Sequence, residues 1–498
     1  MKLKAILAKP FANFIYKQIK KSSTTAVADQ QQIFSQLIKT AGKTLFGTDH
    51  HFDKIKTHAD YCQQVPIRDY EALKPYIEKI KEGRHNVLWK GRPIYFAKTS
   101  GTTSGVKYIP ITKDSISNHI DTARNALLCY MEETGNTKLA DGKLIFLSGS
   151  PTLERLGDIP TGRLSGIVNH HVPKYLRSNQ LPTYETNCID DWEEKLDKIV
   201  EETLAEDMAL IGGIPPWVQM YFDKLEAKSG KKIGVLFPNF SVMVQGGVNY
   251  EPYKARLQES IGRPVDTIEL FPASEGFFAF QDTQKEKAML LNTNSGIFFE
   301  FVPVPELSKP NPIRYLLADV QIGQNYALVI SSNAGLWAYN IGDTVKFVST
   351  NPFRIVVTGR TKQYISAFGE HVIVEEVEAA MLQAATLCKA SISEYTVAPY
   401  ISTNQGKSYH EWMVEFEQVP IDISEFAQIL DTQLRQKNSY YDDLVKGNIL
   451  QQLKITAIPK AGFLKYMKSI GKLGGQNKIP KVSNDRQIAD GLVEINFL

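Results

Sequence analysis

The sequence is short of cysteine, of long apolar runs and of net charge. It holds four cysteines in 498 residues, without a CxxC spacing or a histidine at the offsets of a zinc motif. This pattern predicts neither a zinc site nor a disulfide framework, and it favours a reducing compartment. The cysteines are Cys62, Cys129, Cys188 and Cys388.

Other missing features exclude further classes of protein. No run approaches the roughly 18 apolar residues of a membrane-spanning helix, so we expect no membrane partner. The formal net charge of +3 is small for this length and does not favour a nucleic-acid partner. The start, MKLKAILAKPFANFIYKQIKK, interrupts its apolar positions with lysine and proline, which favours an amphipathic surface helix over a signal peptide. We therefore expect a cytoplasmic protein.

The sequence does contain enough apolar material for several cores, since hydrophobic residues make up 43% of it. Helical spacing is clear at 30–47 and 67–82, and helical patterns such as 190–204 and 216–227 separate several short apolar runs. The runs are KLIFLS, MALIGG, VMVQGG, TIELFPAS, IFFEFVPV and YALVIS. Strands that alternate with helices predict a largely parallel α/β sheet. The sequence pattern changes beyond about Phe353, and we expect a domain boundary near 358–362.

The stretch FAKTSGTTSGVKYIP, residues 96–110, concentrates small hydroxyl residues and glycines between two extended segments. Such a loop brings hydroxyls and backbone N–H groups close to an anion, which suits a polyphosphate. It is not a Walker A loop, because that motif needs Gly, four residues and then Gly-Lys-Ser/Thr. Taken alone, the stretch is more often an ordinary flexible turn than a phosphate site.

Two acidic positions are further candidates. Glu275 in FPASEGFF follows a predicted strand, where a carboxylate could hold Mg²⁺ against phosphate oxygens. Asp343 in LWAYNIGDTVKFVS follows Gly342 in a predicted tight turn between two strands, where it could accept hydrogen bonds from ribose hydroxyls. In isolation, a helix-capping or solvated glutamate and a plain hairpin turn explain these two motifs better than a ligand site does.

Two basic motifs lie in the last third of the chain. Arg360 and Lys362 stand at a predicted strand end in VVTGRTKQYISAFGEHVIVEEVE, and Lys478 follows two glycines in GKLGGQNKIPK. A lysine on a glycine-flexed loop can reach into a closing site and neutralise a carboxylate and a phosphate together. Surface lysines are common, so this signal has no value alone.

The order of these motifs is more informative than any one of them. TSGTTSGVK, then ASE about 170 residues later, then YNIGD, TGRTKQYISAFGEHVIVEEVE and a late glycine-flanked lysine resemble the adenylate-forming superfamily. TLFG, VPIRDYEALKPYI, VLWKGRPIYFAKTSGTTSGVKYIPIT and GGIPPW resemble the auxin-responsive-promoter family of acyl acid amido synthetases, in its bacterial branch. The resemblance covers nearly the whole chain.

This resemblance implies an α/β fold of the firefly luciferase-like type. Residues 1–358 would form a large N-terminal adenylation domain, 359–362 a hinge that includes Lys362, and 363–498 a smaller, mobile C-terminal α+β domain. The implied cofactors are ATP and Mg²⁺. The implied ATP-binding residues are Ser100, Gly101, Thr102, Thr103, Lys107, Ala273, Ser274, Glu275, Asp343 and Arg360. Glu275 would also bind the metal, and Glu275 and Lys478 would be the catalytic residues.

Some positions depart from the plant pattern of this family. Phe271 and Pro272 stand where an aromatic next to a small residue is usual, and Asn340 stands where an arginine is common. His170 and His171 lie in a region that the family uses near the acyl site, but a structural or surface position explains them more simply, and packing explains Trp217 in GGIPPW more simply than recognition.

The implied reaction converts a small carboxylic acid to an acyl adenylate and transfers the acyl group to an amine such as an amino acid. The products would be an amide conjugate, AMP and pyrophosphate. An acyl-CoA ligase, which shares the first step, and a non-catalytic relative that binds a nucleotide or an acid remain alternatives. Neither the acid nor the amine is identifiable from the sequence.

Overall fold

The computed structural model describes residues 3–100, 106–172, 177–248, 250–307, 309–361, 364–402, 408–470 and 479–497. The chain divides into two compact units. The first comprises Met1–Thr99, Lys107–Ile189 and Leu196–Thr361, and the second comprises Ser100–Val106, Asp190–Lys195 and Lys362–Leu498. The predicted mixed α/β architecture, with a large N-terminal and a smaller C-terminal part, is confirmed. The hinge and the mobility of the smaller part remain predictions.

Eleven of the described helices precede residue 361. They are α1 (Leu3–Ala41), α2 (Leu45–Asp49), α3 (His58–Gln64), α4 (Tyr70–Lys81), α5 (Ile116–Thr134), α6 (Leu164–His170), α7 (Tyr184–Asn187), α8 (Trp192–Thr203), α9 (Pro215–Ser229), α10 (Ile233–Leu236) and α11 (Glu251–Ile261). The N-terminal segment and most of the pattern at 30–47 form one helix, α1, which buries Ala12 and Ile15 as well as Ile33 and Leu37, while the end of that pattern falls in α2. Within the described ranges, no helix combines the length and apolarity needed to cross a bilayer.

The strands before residue 361 supply most of the β structure. They are β1 (Tyr95–Ser100), β2 (Val106–Ile111), β3 (Lys143–Phe146), β4 (Glu154–Leu156), β5 (Ile159–Gly162), β6 (Gln180–Leu181), β7 (Met208–Gly212), β8 (Val242–Gly246), β9 (Asp266–Ala273), β10 (Gly276–Phe280), β11 (Met289–Leu291), β12 (Ile297–Pro303), β13 (Asn325–Ser332), β14 (Tyr339–Thr350) and β15 (Phe353–Arg360). A small sheet has the order β2-β1-β5-β4.

The main sheet has the order β12-β13-β14-β15-β11-β10-β9-β8-β7-β3-β6. In this order, neighbouring strands pair parallel through β6, β3, β7, β8 and β9. They pair antiparallel through β9, β10, β11, β15, β14, β13 and β12. The prediction of a largely parallel sheet is therefore wrong for one half. Helices α9 to α11 connect β7, β8 and β9, which makes parallel pairing possible, whereas short connections in the other half produce hairpins.

Strand β12 is buried along its whole length, and it lies at the margin of the main sheet. The side-chain amide of Gln30 on α1 donates to the carbonyl of Ile297 at 2.9 Å and accepts from the N–H of Phe299 at 2.8 Å. The backbone of Phe301 exchanges hydrogen bonds of 2.8 and 2.9 Å with the backbone of Tyr315. These contacts satisfy backbone groups of β12 that face away from β13.

The second unit has its own elements and core. They are β16 (Tyr364–Ile365), β17 (Val372–Ile373), α12 (Val374–Leu387), β18 (Ser391–Tyr400), β19 (Tyr409–Gln418), α13 (Ile423–Lys437), α14 (Ser439–Lys446), β20 (Lys454–Ile458), α15 (Gly462–Ser469) and α16 (Gln487–Phe497). Strand β19 pairs antiparallel with β18 and parallel with β20. The predicted buried face of α12 is confirmed, because Val377, Ala380, Met381 and Ala384 are at most 4% exposed.

Candidate functional site

Four of the residues singled out in the sequence converge within the first unit: Lys107, Glu275, Asp343 and Arg360. They come from β2, from the turn between β9 and β10, from β14 and from the end of β15. Three of these positions are irregular or terminal points of strands, where a side chain is free of the packing demands of the sheet. The cluster contains two carboxylates and two cations.

A two-residue turn presents Glu275. Ala273 pairs with Gly276 across the hairpin, so Ser274 and Glu275 form its tip. Strand β10 is buried throughout, and a Cβ at Gly276 would lie 2.6 Å from Ile297 Cδ1, so this end of the hairpin leaves little room for movement. The turn therefore holds the Glu275 carboxylate in one place, with Ala273 and Ser274 partly exposed beside it.

Burial and neighbouring charges have opposite effects on the Glu275 carboxyl group. Burial raises the pKa of its carboxyl group, while the positive charges of Lys107 and Arg360 oppose that rise. The hydroxyl of Tyr339 donates to Glu275 Oε1 at 3.4 Å. Glu275 is therefore a partly desolvated carboxylate that holds a proton more tightly than a free glutamate does.

The predicted turn at Gly342 and Asp343 is wrong, because both residues lie inside the single strand β14. Between Asn340 and Thr344, the partner strand β13 advances only from Val329 to Ala327, so β14 carries a bulge of extra residues. Gly342 has a φ of +89°, which a glycine adopts without strain. The bulge redirects Asp343 out of the regular alternation of the strand.

Hydrogen bonds fix this bulge on both sides. The side chain of Asn340 accepts from the N–H of Gly342 at 2.9 Å, and the carbonyl of Gly342 accepts from the N–H of Thr361 at 2.8 Å. Arg360 Nη2 donates to the carbonyl of Ile341 at 3.0 Å. Asn340, which stands where an arginine is common in the plant family, thus stabilises the bulge through its side chain.

Arg360 also pairs with Asp343, with 3.1 Å between Nε and Oδ1. The two side chains are 20% and 19% exposed, so the pair is accessible from solvent. Burial raises the pKa of Asp343, and the charges of Arg360 and Lys107 oppose the rise. Arg360 pairs with Oδ1 of Asp343, so the Oδ2 atom of that carboxylate can still accept a hydrogen bond from a ligand.

Lys107 is the most buried member of the cluster, at 8% exposure. Its strand follows the sequence segment TSGTTSG and is anchored where the N–H of Tyr108 donates to the hydroxyl of Tyr70 at 3.0 Å. The charge of Lys107 acts on both Glu275 and Asp343. The structure therefore brings Lys107 to the same carboxylates as Arg360.

The other predicted site residues are not seen in this cluster. Gly101, Thr102, Thr103, Lys362 and Lys478 lie outside the described residues, and Ser100 is described only as the last backbone position of β1. Their roles remain predictions. His170 and His171 have structural contacts, since their Nε2 atoms lie 2.9 Å from the carbonyl of Pro151 and 3.2 Å from the hydroxyl of Tyr95.

No role was predicted for Tyr339, although it opens the YNIGD motif. Its side chain is 1% exposed, and its hydroxyl group ends beside Glu275. The backbone on either side of it exchanges hydrogen bonds with Arg68, from Arg68 N–H to the Ala338 carbonyl and from Asn340 N–H to the Arg68 carbonyl. An aromatic residue just before a strand bulge was the available signal, but it does not reveal which side chain the hydroxyl meets.

Comparison with solved structures establishes the fold. AtGH3.15 acyl acid amido synthetase in complex with 2,4-DB superposes with a TM-score of 0.62 at 14% identity, over 98% of this chain and 96% of that one. A 2-hydroxyisobutyryl-CoA ligase in complex with 2-HIB-AMP and CoA has a TM-score of 0.57 at 14% identity, over 97% of this chain and 92% of that one. The fold is that of the adenylate-forming ligases.

Sequence comparison identifies the family. Jasmonoyl–L-amino acid synthetase JAR4 of Nicotiana attenuata is 22% identical over 397 residues, 63% of this chain and 68% of that protein. Probable indole-3-acetic acid-amido synthetase GH3.2 of Oryza sativa subsp. japonica is 27% identical over 470 residues, 77% of this chain and 75% of that protein. The GH3 family N-terminal, central and C-terminal domains match residues 15–190, 290–360 and 375–487. Because these three domains span well over half of it, the chain belongs to the GH3 family.

Proposed function

We propose that this protein is an acyl acid amido synthetase, a ligase that adenylates a small carboxylic acid with ATP and transfers the acyl group to an amino acid. The observation that carries the proposal is the cluster of Lys107, Glu275, Asp343 and Arg360 in a chain whose relatives are named as acid–amino acid synthetases. Within the family we propose the bacterial branch, on its N-terminal motifs, and a cytoplasmic location, on its four unpaired cysteines.

The residues present fit a bound nucleotide. A carboxylate that is fixed by an arginine and still has a free acceptor position suits the hydroxyls of a ribose, and Asp343 is such a group. The bulge at Gly342 and the contact with Arg360 hold it in place before any ligand arrives. We assign the ribose to Asp343, with Arg360 as the residue that positions it.

The residues also fit Mg²⁺. This ion prefers carboxylate and phosphate oxygens, and it is usually held by one or two carboxylates together with substrate phosphates. Glu275 offers a partly exposed carboxylate, and the side-chain hydroxyl of Tyr339 donates to it. When bound there, Mg²⁺ would neutralise charge on the phosphate oxygens. We assign its protein ligand to Glu275.

Two displacements make up the proposed reaction. A carboxylate oxygen of the acid attacks the α-phosphorus of ATP, the bond from that phosphorus to the bridging oxygen breaks, and pyrophosphate leaves. The amino nitrogen then attacks the acyl carbon, the bond to the AMP oxygen breaks, and the nitrogen loses a proton. The first step needs positioning and charge neutralisation more than acid or base chemistry. Lys107 would contribute a fixed positive charge, and residues 100–103 and Lys478 would hold the phosphates and the acyl carboxylate.

A matrix of acids and acceptors tests this function. Pyrophosphate release is measured for a panel of carboxylic acids, each with a panel of amino acids and, in parallel, with coenzyme A. We expect release that depends on an acid and an amide product that depends on an amino acid. A thioester in place of the amide would favour the acyl-CoA ligase. If ATP shifts the melting temperature but no acid ever yields pyrophosphate, the protein is a binding relative and the proposal fails.

Lys478 can be tested separately. Lys478→Ala should abolish ATP–pyrophosphate exchange but leave the second step intact when a synthetic acyl adenylate is supplied. Equal loss of both steps would contradict the role of this lysine in adenylation.

A further inference from the structure

A buried glutamate lies in the first unit, outside the proposed site. Glu300 is 0% exposed, in the middle of β12, the strand whose residues are all buried. Its Oε1 lies 2.9 Å from His58 Nε2 and 3.4 Å from Arg314 Nη1. Its Oε2 is buried and has no hydrogen-bond partner among the described residues. A buried carboxylate oxygen without a partner carries a large desolvation cost, so Oε2 points to a ligand.

A cysteine completes a group of three different donors. His58 and Cys62 are four residues apart on α3, which places them on one face of that helix. Cys62 Sγ lies 3.4 Å from His58 Nε2 and 4.0 Å from Glu300 Oε1. The imidazole nitrogen, the thiol sulfur and the carboxylate oxygen all fall within 4.8 Å of one another.

The support around these donors is rigid. The ring of His58 packs edge-on against Phe34 and Phe298, with centroid distances of 6.3 and 5.9 Å. Thr57 and Asp60 form a capping box that fixes the start of α3. Aromatic packing and a capped helix restrict the orientation of the His58 ring.

One of the three separations already matches tetrahedral coordination. Zinc binds nitrogen and oxygen at about 2.0–2.2 Å and sulfur at about 2.3 Å, so neighbouring ligand atoms lie about 3.3–3.6 Å apart. The 3.4 Å between His58 Nε2 and Cys62 Sγ falls in that interval, whereas Glu300 Oε1 lies 2.9 Å from the nitrogen and 4.0 Å from the sulfur, so the Glu300 carboxylate must shift by about half an ångström to bind the same ion. His58 and Cys62 are partly exposed, which leaves a path for the ion and a fourth position for water.

Arg314 is a positively charged residue next to the Glu300 carboxylate. Its side chain is 5% exposed, and its Nη2 donates to the carbonyl of Val65 at 2.8 Å. Its Nη1 lies 3.4 Å from Glu300 Oε1, the oxygen that His58 Nε2 also contacts, so it helps to orient that carboxylate. Outer partners of this kind are common around ligand carboxylates.

We propose that His58, Cys62 and Glu300 form a Zn²⁺ site that joins α3 to β12. Mixed nitrogen, sulfur and oxygen donors in this arrangement favour zinc over the harder Mg²⁺ and Ca²⁺. The sequence predicts no zinc site here, because the third donor is 238 positions beyond Cys62 and no spacing motif joins it to the other two. The segment after α3 leads to Arg68, which pairs with the backbone beside Tyr339, so the ion would stiffen a segment that borders the proposed site.

Metal binding to the purified full-length chain, without an affinity tag and stripped by a chelator, tests the proposal. Zn²⁺ is titrated in competition with a chromophoric chelator, and Co²⁺ is used as an optical probe. We expect one Zn²⁺ per chain and a thiolate-to-Co²⁺ charge-transfer band in the near ultraviolet. Cys62→Ser should abolish the band and weaken Zn²⁺ binding at least about 100-fold, since losing mere outer-sphere partners costs about 10- to 100-fold.

Cys188→Ser is the matched control, because Cys188 is another partly buried free cysteine and is not a member of the group. It should keep the band and the affinity, and Zn²⁺ should raise the melting temperature of this control but not of Cys62→Ser. Circular dichroism establishes that both variants fold. The proposal is overturned if the wild type binds no Zn²⁺, or if Cys62→Ser binds it as tightly as Cys188→Ser. In that case the three residues with Arg314 are an ion-pair cluster only.

Discussion

Two carboxylate clusters of the first unit differ in where the chain places them. Glu275 and Asp343 stand at a hairpin tip and at a bulge, are partly exposed, and face Lys107 and Arg360. Glu300 stands inside a regular strand and is fully buried. In the first cluster the backbone departs from regularity to present charge to a ligand. In the second, regular elements enclose the charge, and removing a member should therefore affect folding before it affects catalysis.

The largest effect should come from the enclosed cluster. Glu300→Gln removes the negative charge and leaves Arg314 buried without a counter-ion, so we expect a loss of about 3–5 kcal/mol in the free energy of unfolding. Denaturant unfolding measures it. Glu306→Gln breaks a surface pair with Lys309 and should cost at most about 1 kcal/mol. Equal costs for the two variants would contradict the difference between the clusters.

The exposed cluster should show the opposite result. Glu275→Gln removes a charge placed for the proposed metal and should lower the rate of ATP–pyrophosphate exchange about 100- to 1,000-fold, the usual effect of losing one electrostatic contact in a reaction site. The melting temperature at neutral pH should not fall. Glu286→Gln, a change at an exposed glutamate, should alter neither quantity. A loss of stability in place of activity would make Glu275 structural.

The bulge can be tested by a pair of glycine substitutions. Gly342→Ala forces alanine to a φ of +89° and brings its Cβ to 2.9 Å from Arg360 Nη2, whereas Gly323→Ala forces a φ of +86° with no atom within 4 Å. Both should lose about 1–3 kcal/mol of stability through backbone strain. Only Gly342→Ala should also lose exchange activity, about tenfold or more, because it displaces Arg360 from Asp343. Similar activities in the two variants would show that this pairing does not matter.

The smallest effect is a pH dependence of stability. Burial raises the pKa of Glu275 in the folded protein above its usual 4.5, so the folded state holds this proton more tightly than the unfolded state does. The contribution of the group to stability is therefore greatest below pH 4.5 and declines as the pH rises through the folded pKa. The melting temperature of Glu275→Gln, relative to wild type, should rise over that window and then level off. A constant difference from pH 4 to 8 would contradict this.

The sequence predicted what depends on local pattern and could not predict what depends on register. The apolar runs that became β7, β8 and β9, and the buried face of α12, follow from the spacing of side chains. The spacing does not tell whether a connection returns antiparallel, so half of the main sheet was misjudged. Gly342 and Asp343 are usual turn residues, and only pairing with β13 and β15 makes them a bulge.

The candidate site shows the same division. Its four described members were found through the order of their motifs, which requires no geometry. The contact between Tyr339 and Glu275, and the meeting of His58 and Cys62 with Glu300, join residues that are 64 to 242 positions apart. Long-range pairs of this kind depend on how elements pack, and no spacing rule in one sequence reveals them.

The way in which α1 and Tyr315 cover β12 has a consequence for solubility. A marginal strand normally displays a row of unused donors and acceptors, on which a strand of another molecule can assemble. Here the amide of Gln30 and the backbone of Tyr315 occupy those groups at Ile297, Phe299 and Phe301. Replacing Gln30 with leucine would leave the carbonyl of Ile297 and the N–H of Phe299 buried without partners, so stability should fall first, and self-association should follow only where α1 detaches from the strand.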